Sequence, residues 1–123
     1  MNDARLSAQA NALLLSCSRA AMERAVASGA MARRAWEECE RACARHEEEP
    51  QQWQRLDSTA PCPTSEWEAR LVDWHEQRRE LQQQRERADD ERRHHEFIAN
   101  RARAKHLQLE RHLASSSGVR RGE

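Results

Sequence analysis

This sequence predicts an all-α protein, a long antiparallel two-helix coiled-coil hairpin, and three observations carry that expectation. Positions 67, 71, 74, 78, 81, 85, 88, 92, 95, 99, 102, 106, 109 and 113 recur at alternating spacings of four and three. Spacing of this kind holds one face of a helix against a partner helix along its whole length. Only three Gly and three Pro occur in 123 residues, and Ala, Arg, Glu, Gln and Leu supply most of the chain, a composition of long helices. All three prolines, Pro50, Pro61 and Pro63, fall in one stretch, so a single break separates two helical segments.

The first helix is expected over residues 3–48, with Asn2 or Asp3 as its cap. Leu6, Ala10, Leu13, Cys17, Ala21, Ala25, Ser28, Ala32, Trp36, Cys39, Cys43 and His46 form its inner stripe at close to the straight-helix period. Residues 49–64, which hold the prolines around QQWQRLDSTA, are the expected hairpin loop. The second helix is expected over 65–114, opened by a capping box in which Ser65 is followed by Glu68 and closed by the run SSSG; 115–123 is a flexible tail. Its seam, from Trp67 through Leu71, Trp74, Arg78, Leu81, Arg85, Ala88, Arg92, His95, Ala99, Ala102, His106 and Leu109 to Leu113, is apolar at both ends and basic in the middle.

Folding the helices back about that loop sets Leu6 near Leu107 and Leu109, Leu13 near Ile98 to Asn100, and Cys39 near Trp74. Arg92, Ala88, Arg85 and Leu81 then lie over Ala21, Ala25, Ser28 and Ala32, with arginine stems crossing small residues while their guanidinium groups reach water. From His75 to Glu96 the only apolar side chains are Leu81 and Ala88, so this stretch relies on neighbouring charge pairs and on a partner. Trp36, Trp53, Trp67 and Trp74 are all expected near the loop, as an aromatic cluster closing the turn. Trp53 lies off both stripes and is also a candidate anchor for another protein.

Composition and charge limit the function. With 37% hydrophobic, 34% charged and 4% aromatic residues, the chain cannot surround a large globular core, and one elongated helical domain over 1–114 is expected. The formal net charge is zero, which speaks against generic nucleic-acid binding. Basic groups outnumber acidic ones five to two over residues 1–36 and six to two over 97–123, whereas residues 37–76 carry four against eleven. A hairpin therefore brings two basic ends together opposite an acidic turn. No stretch suits a secretory leader or a transmembrane span, so a cytoplasmic protein without stable membrane insertion is expected, with Cys17, Cys39, Cys43 and Cys62 as free thiols.

Sequence motifs point away from catalysis. Cys39, Cys43 and His46 share a helix face at soft-metal spacing with Cys62 in the loop, but they also continue the apolar stripe, and packing is the stronger reading. Glu91 and His94 form one Glu-x-x-His where a di-iron bundle needs two. There is no Gly-rich phosphate loop and no recognisable nucleophile with its base. No enzyme activity, metal or cofactor is expected.

Two long antiparallel helices, a Pro-containing turn and the charged second helix WEARLVDWHEQRRELQQQRERADDERRHHEFIANRARAKHLQLERHL resemble the FliJ/YscO stalk proteins of flagellar and type III secretion export. The resemblance is one of architecture and composition over residues 1–114. It implies a small cytoplasmic stalk, peripheral at the inner face of a membrane export complex, that sits in the pore of a hexameric export ATPase and couples it to an export-gate subunit, with secretion chaperones as further partners. The paired helix termini would face the ATPase ring, which makes Arg101, Arg103, Lys105 and Arg111 candidate partner-binding residues beside Trp53. Two other classes of function are open to the sequence: a coiled-coil scaffold or regulator that dimerises through its seam, and a metal-sensing helical protein using Cys39, Cys43 and His46.

Overall fold

Two α-helices, α1 over Asn2–Leu56 and α2 over Thr64–Arg121, make up the fold, and no strand occurs among the described residues. The computed structural model describes residues 2–56 and 64–121, with side chains over 3–53 and 65–116. Asp3 in the first turn of α1 and Glu66 in the first turn of α2 set negative charge beside the unbonded amides of each helix start. The all-α, two-helix antiparallel hairpin expected from the sequence is the fold observed.

Helix boundaries differ from the expectation. α1 does not stop at 48 but runs through Pro50 to Leu56, and α2 passes the SSSG run to Arg121. Ser and Gly lower helix propensity by up to about 1 kcal/mol each without removing a donor, so they weaken a ladder without ending it. Pro50 removes one donor, which a side chain of α2 replaces. Pro61, Pro63 and Cys62 lie outside the described residues.

The chain divides into two units, one of Met1–Met31 with Arg93–Glu123 and the other of Ala32–Arg92. Within each the helices run antiparallel. In the second unit Glu40, Cys43 and Glu47 of α1 meet Arg85, Leu81 and Arg78 of α2 in turn. In the first unit Ser18 meets His106, while Gly29 faces His95 and Ala99. This register is not the expected one. Trp74 packs on His46, not near Cys39, because α1 continues past Pro50 and moves the pairing two turns along the helix. The arginines of α2 correspondingly meet the acidic stretch of α1 and not its small residues.

The heptad seam of α2 faces inward as read. Of its fourteen positions only Arg85 is exposed, and Trp74, Ala99 and His106 are buried. The stripe of α1 holds from Ala32 to His46 and before it only at Ala25. Leu6, Ala10, Leu13, Cys17, Ala21 and Ser28 are all exposed, and the inward positions include Leu15, Ser18, Met22, Ala25, Val26 and Gly29. Residues 6–18 contain no charged side chain, so apolar groups occur on every face there and hydrophobicity alone does not select the inner one. The partner decides it, because His106 requires a polar group opposite and the His95–Ala99 turn requires a small one.

Little surface is buried. The accessible area is 10068 Å², against about 6800 Å² for a compact monomer of this mass. Each layer of the interface therefore carries a large share of the stability.

Gly29 lies inside a helix, where glycine is about 1 kcal/mol less favourable than alanine. A Cβ there would sit 3.7 Å from the His95 carbonyl oxygen and 3.9 Å from Ala99 Cβ, ordinary contact distances. Gly29→Ala is expected to stabilise the fold by roughly 0.5–1 kcal/mol, and Gly29→Leu to destabilise it by about 1–3 kcal/mol through overpacking. Urea unfolding followed by circular dichroism measures both signs.

Candidate protein-interaction surface

Helix α1 survives its internal proline because α2 supplies the missing donor. Proline at position 50 has no amide hydrogen to give the carbonyl four residues back, and that carbonyl belongs to His46. Trp74 Nε1–H donates to it at 2.7 Å. In return His46 Nε2 lies 2.8 Å from the Trp74 carbonyl. A carbonyl only accepts, so Nε2 carries the hydrogen. The two rings stack with centroids 4.8 Å apart and planes 8° from parallel, and both residues are buried. His46 Nδ1 is 3.5 Å from Glu49 Oε2, a side chain one residue before the proline.

Around this pair the second unit is held mainly by charge. Arg78 places its guanidinium 5.4 Å from the Trp74 ring centroid and its Nε 2.7 Å from Glu47 Oε1, with the N–H off-line so that the contact is an ion pair and not a directed hydrogen bond. Arg85 Nε lies 2.7 Å from Glu40 Oε1. Arg92 binds Asp89 Oδ1 through Nη2 at 2.7 Å while its guanidinium covers Trp36 at 4.6 Å. The first two pairs are close to half exposed, where such contacts contribute about 0.2–1 kcal/mol each. A shallow groove of about 280 Å³ lies between the helices, lined by Glu40, Cys43, His46, Arg78, Leu81 and Arg85, and its acidic and basic groups are already engaged with each other.

The first unit has a different polar layer. Ser18 Oγ is 2.9 Å from His106 Nδ1, and His106 Nε2 is 2.8 Å from Glu110 Oε1. The Glu110 carboxylate accepts from Nε2–H and Ser18 Oγ pairs with Nδ1, giving a serine–histidine–glutamate chain across the interface. Ser18 sits in the interior of α1, and its hydroxyl gives the buried His106 a polar partner from the opposite helix.

Trp53 is half-buried, meets Trp67 edge-on at 6.2 Å, and carries Arg70 at 5.8 Å from its ring. Trp36 does not join the turn as expected but packs on Arg92, because the longer α1 places it well before the proline. Arg101, Arg103, Lys105 and Arg111 are all exposed, and Arg103 reaches Asn100 at 3.4 Å. Cys43 donates weakly to the Leu81 carbonyl at 3.7 Å. Among the described residues no three His, Cys, Asp or Glu side chains converge on a metal position, and no helix is long and apolar enough to cross a membrane.

The surface itself is informative. Of the exposed large apolar side chains among the described residues, Leu6, Leu13, Leu14, Met31, Phe97, Ile98 and Leu107 lie in the first unit and Val72 alone lies in the second. That unit carries ten basic and five acidic groups, and the second carries eleven and sixteen. Sequence reasoning missed Ser18 and Gly29, although Gly29 is the only glycine before the turn and an isolated glycine in a helix signals a close approach. No protein family, curated protein or solved structure matches the chain.

Replacing Trp74 with Phe leaves the His46 carbonyl without its donor and is expected to cost about 1–3 kcal/mol beyond lost packing. Pro50→Ala restores an amide to that carbonyl, so the penalty of Trp74→Phe should shrink by about 1 kcal/mol or more in the Pro50→Ala background. A double-mutant cycle by denaturant unfolding reads the coupling, and strict additivity would remove the role assigned to Trp74.

Proposed function

We propose that this chain is a non-enzymatic adaptor, a helical hairpin whose work is to hold other proteins, and that it acts as the central stalk between an export ATPase ring and an export-gate subunit. The observation that carries the adaptor reading is the row of large apolar side chains turned away from the helix interface on a basic unit. Exposed apolar groups gathered on one region mark protein contacts in a chain with so little core. The hairpin and its alternation of basic and acidic units support the stalk form, which rests on the resemblance of the whole architecture to the FliJ/YscO proteins. In that form Arg101, Arg103, Lys105 and Arg111 are the groups that meet the ATPase, and Trp53 contributes to the surface presented by the other unit.

A second reading, a coiled-coil scaffold that works through dimerisation, is favoured by one feature. The exposed residues of α1 themselves keep coiled-coil spacing.

Affinity purification of the tagged chain from its native cells in mild salt, with mass spectrometry of what accompanies it, tests the stalk. Recovery of a hexameric ATPase and a gate subunit is expected. Changing Arg101, Arg103, Lys105 and Arg111 to Glu should reduce ATPase recovery by about tenfold at low salt. Recovery of neither component would sink the export assignment.

A further inference from the structure

We propose that the outward face of α1 is a self-association surface, occupied by the same face of a second copy lying antiparallel. The inference rests on the reading of the hairpin as an interaction protein and names one partner for it.

Asp3, Leu6, Ala10, Leu13, Cys17, Ala20, Arg24, Ala27 and Met31 follow one another at spacings of three and four. This is the spacing of a coiled-coil seam, on the side of α1 that turns away from α2. All are exposed except half-buried Ala20. The first helix therefore carries two seams, and the chain itself covers only one.

Charge selects both the partner and its direction. The stripe has two charged members, Asp3 near its start and Arg24 near its end, with no ion pair to either among the described residues. Laid parallel, two copies would set Arg24 against Arg24. Laid antiparallel with Leu13 opposite the second copy's Cys17, they place Ala10 on Ala20 and Leu6 on Arg24. Arg24 is then one helical turn from the second copy's Asp3, within reach of its side chain. Two-fold symmetry repeats that ion pair at the other end. The centre of the overlap is the uncharged segment 6–18, where no like charges meet.

The overlap of residues 3–27 is roughly 38 Å long. At a helix width of about 10 Å its footprint is about 400 Å² per copy, half of what a standard stable interface takes from each partner. The dimer is thus a weak one, with a dissociation constant in the micromolar range or above.

Sedimentation equilibrium of the purified full chain from micromolar to millimolar concentration tests this. A monomer–dimer equilibrium is expected. Leu13→Glu should weaken it at least about tenfold with the helical circular dichroism unchanged, because Leu13 is exposed in its own fold. Arg24→Asp should weaken it and Asp3→Arg in the same chain should restore it, a rescue that only the antiparallel arrangement gives. With Cys39, Cys43 and Cys62 changed to Ala, Leu13→Cys should form a covalent dimer with Cys17 on mild oxidation, whereas Cys17 alone should not.

A monomer at every concentration, a dimer indifferent to Leu13→Glu, or efficient cross-linking through Cys17 alone would each overturn the proposal. These readouts use the isolated chain, so a failed recovery of export components leaves them unaffected. A strictly monomeric chain, in turn, leaves the adaptor reading standing.

Discussion

Everything in the second unit is arranged about one exchange, in which Trp74 gives its indole hydrogen to the His46 carbonyl and His46 gives its ring hydrogen to the Trp74 carbonyl. A helix with a proline in its interior carries an unpaired carbonyl one turn earlier, and a buried carbonyl without a partner is costly. Because the donor comes from the other helix, the remedy for a local defect also aligns the two helices. Arg78 on Trp74, Glu47 on Arg78, and one and two turns further Cys43 on Leu81 and Glu40 on Arg85, all follow from that alignment. Hydrophobic burial could not supply it, since a smooth apolar seam can slide by a heptad at modest penalty, whereas a reciprocal pair of hydrogen bonds cannot.

The polar layers divide the labour. His46 and His106 are the buried polar residues of the interface, each met by a group of matching chemistry from the opposite helix: a tryptophan carbonyl in one unit and a serine hydroxyl in the other. Between them lie the close approach at Gly29, the Arg92–Trp36 stack, the Cys43–Leu81 contact and half-exposed ion pairs. Acidic α1 residues from Glu40 to Glu47 oppose basic α2 residues from Arg78 to Arg85, so a shifted register would set charged groups against the wrong neighbours. Specific alignment here comes from polar groups in a structure with little core to spare.

How far the sequence discloses this depends on which residues carry the signal. The α2 seam was legible because charged and polar residues crowd every other face, leaving one stripe with the right spacing. In α1 the segment from Leu6 to Ser18 offers apolar side chains in all directions, and periodicity chose Leu6 and Leu13 where the fold uses Leu15 and Ser18. The inner face there is dictated by His106 and by the close turn of His95 and Ala99, information held about eighty residues away in the chain. Pro50 misled for a similar reason. As a local signal it ends a helix, and only the distant indole of Trp74 makes it tolerable. The basic ends and acidic middle were legible from a charge count and coincide with the two units. Of the candidate partner residues, Arg101, Arg103, Lys105 and Arg111 are exposed as reading the wheel would give, while Trp53 is shared between the surface and the Trp67 ring.

The spacing along the chain of the two polar layers bears on how such a molecule is made. His46 and Trp74 are separated by 28 residues, Ser18 and His106 by 88. Closing a loop three times longer costs only about 1 kcal/mol more by the logarithmic rule, yet the longer closure is not met as one event once the nearer pair has formed. Each pairing from Cys43–Leu81 outward then closes a short increment, so the hairpin zips from the turn toward its termini. A nascent chain can begin this as soon as Trp74 and Arg78 have emerged, well before the residues that meet Ser18 are synthesised. Until then α1 shows its apolar groups on both faces, and Leu15 and Ser18, the inward members of the uncharged stretch, wait longest for cover. Slow translation through residues 80–106 would prolong that exposure.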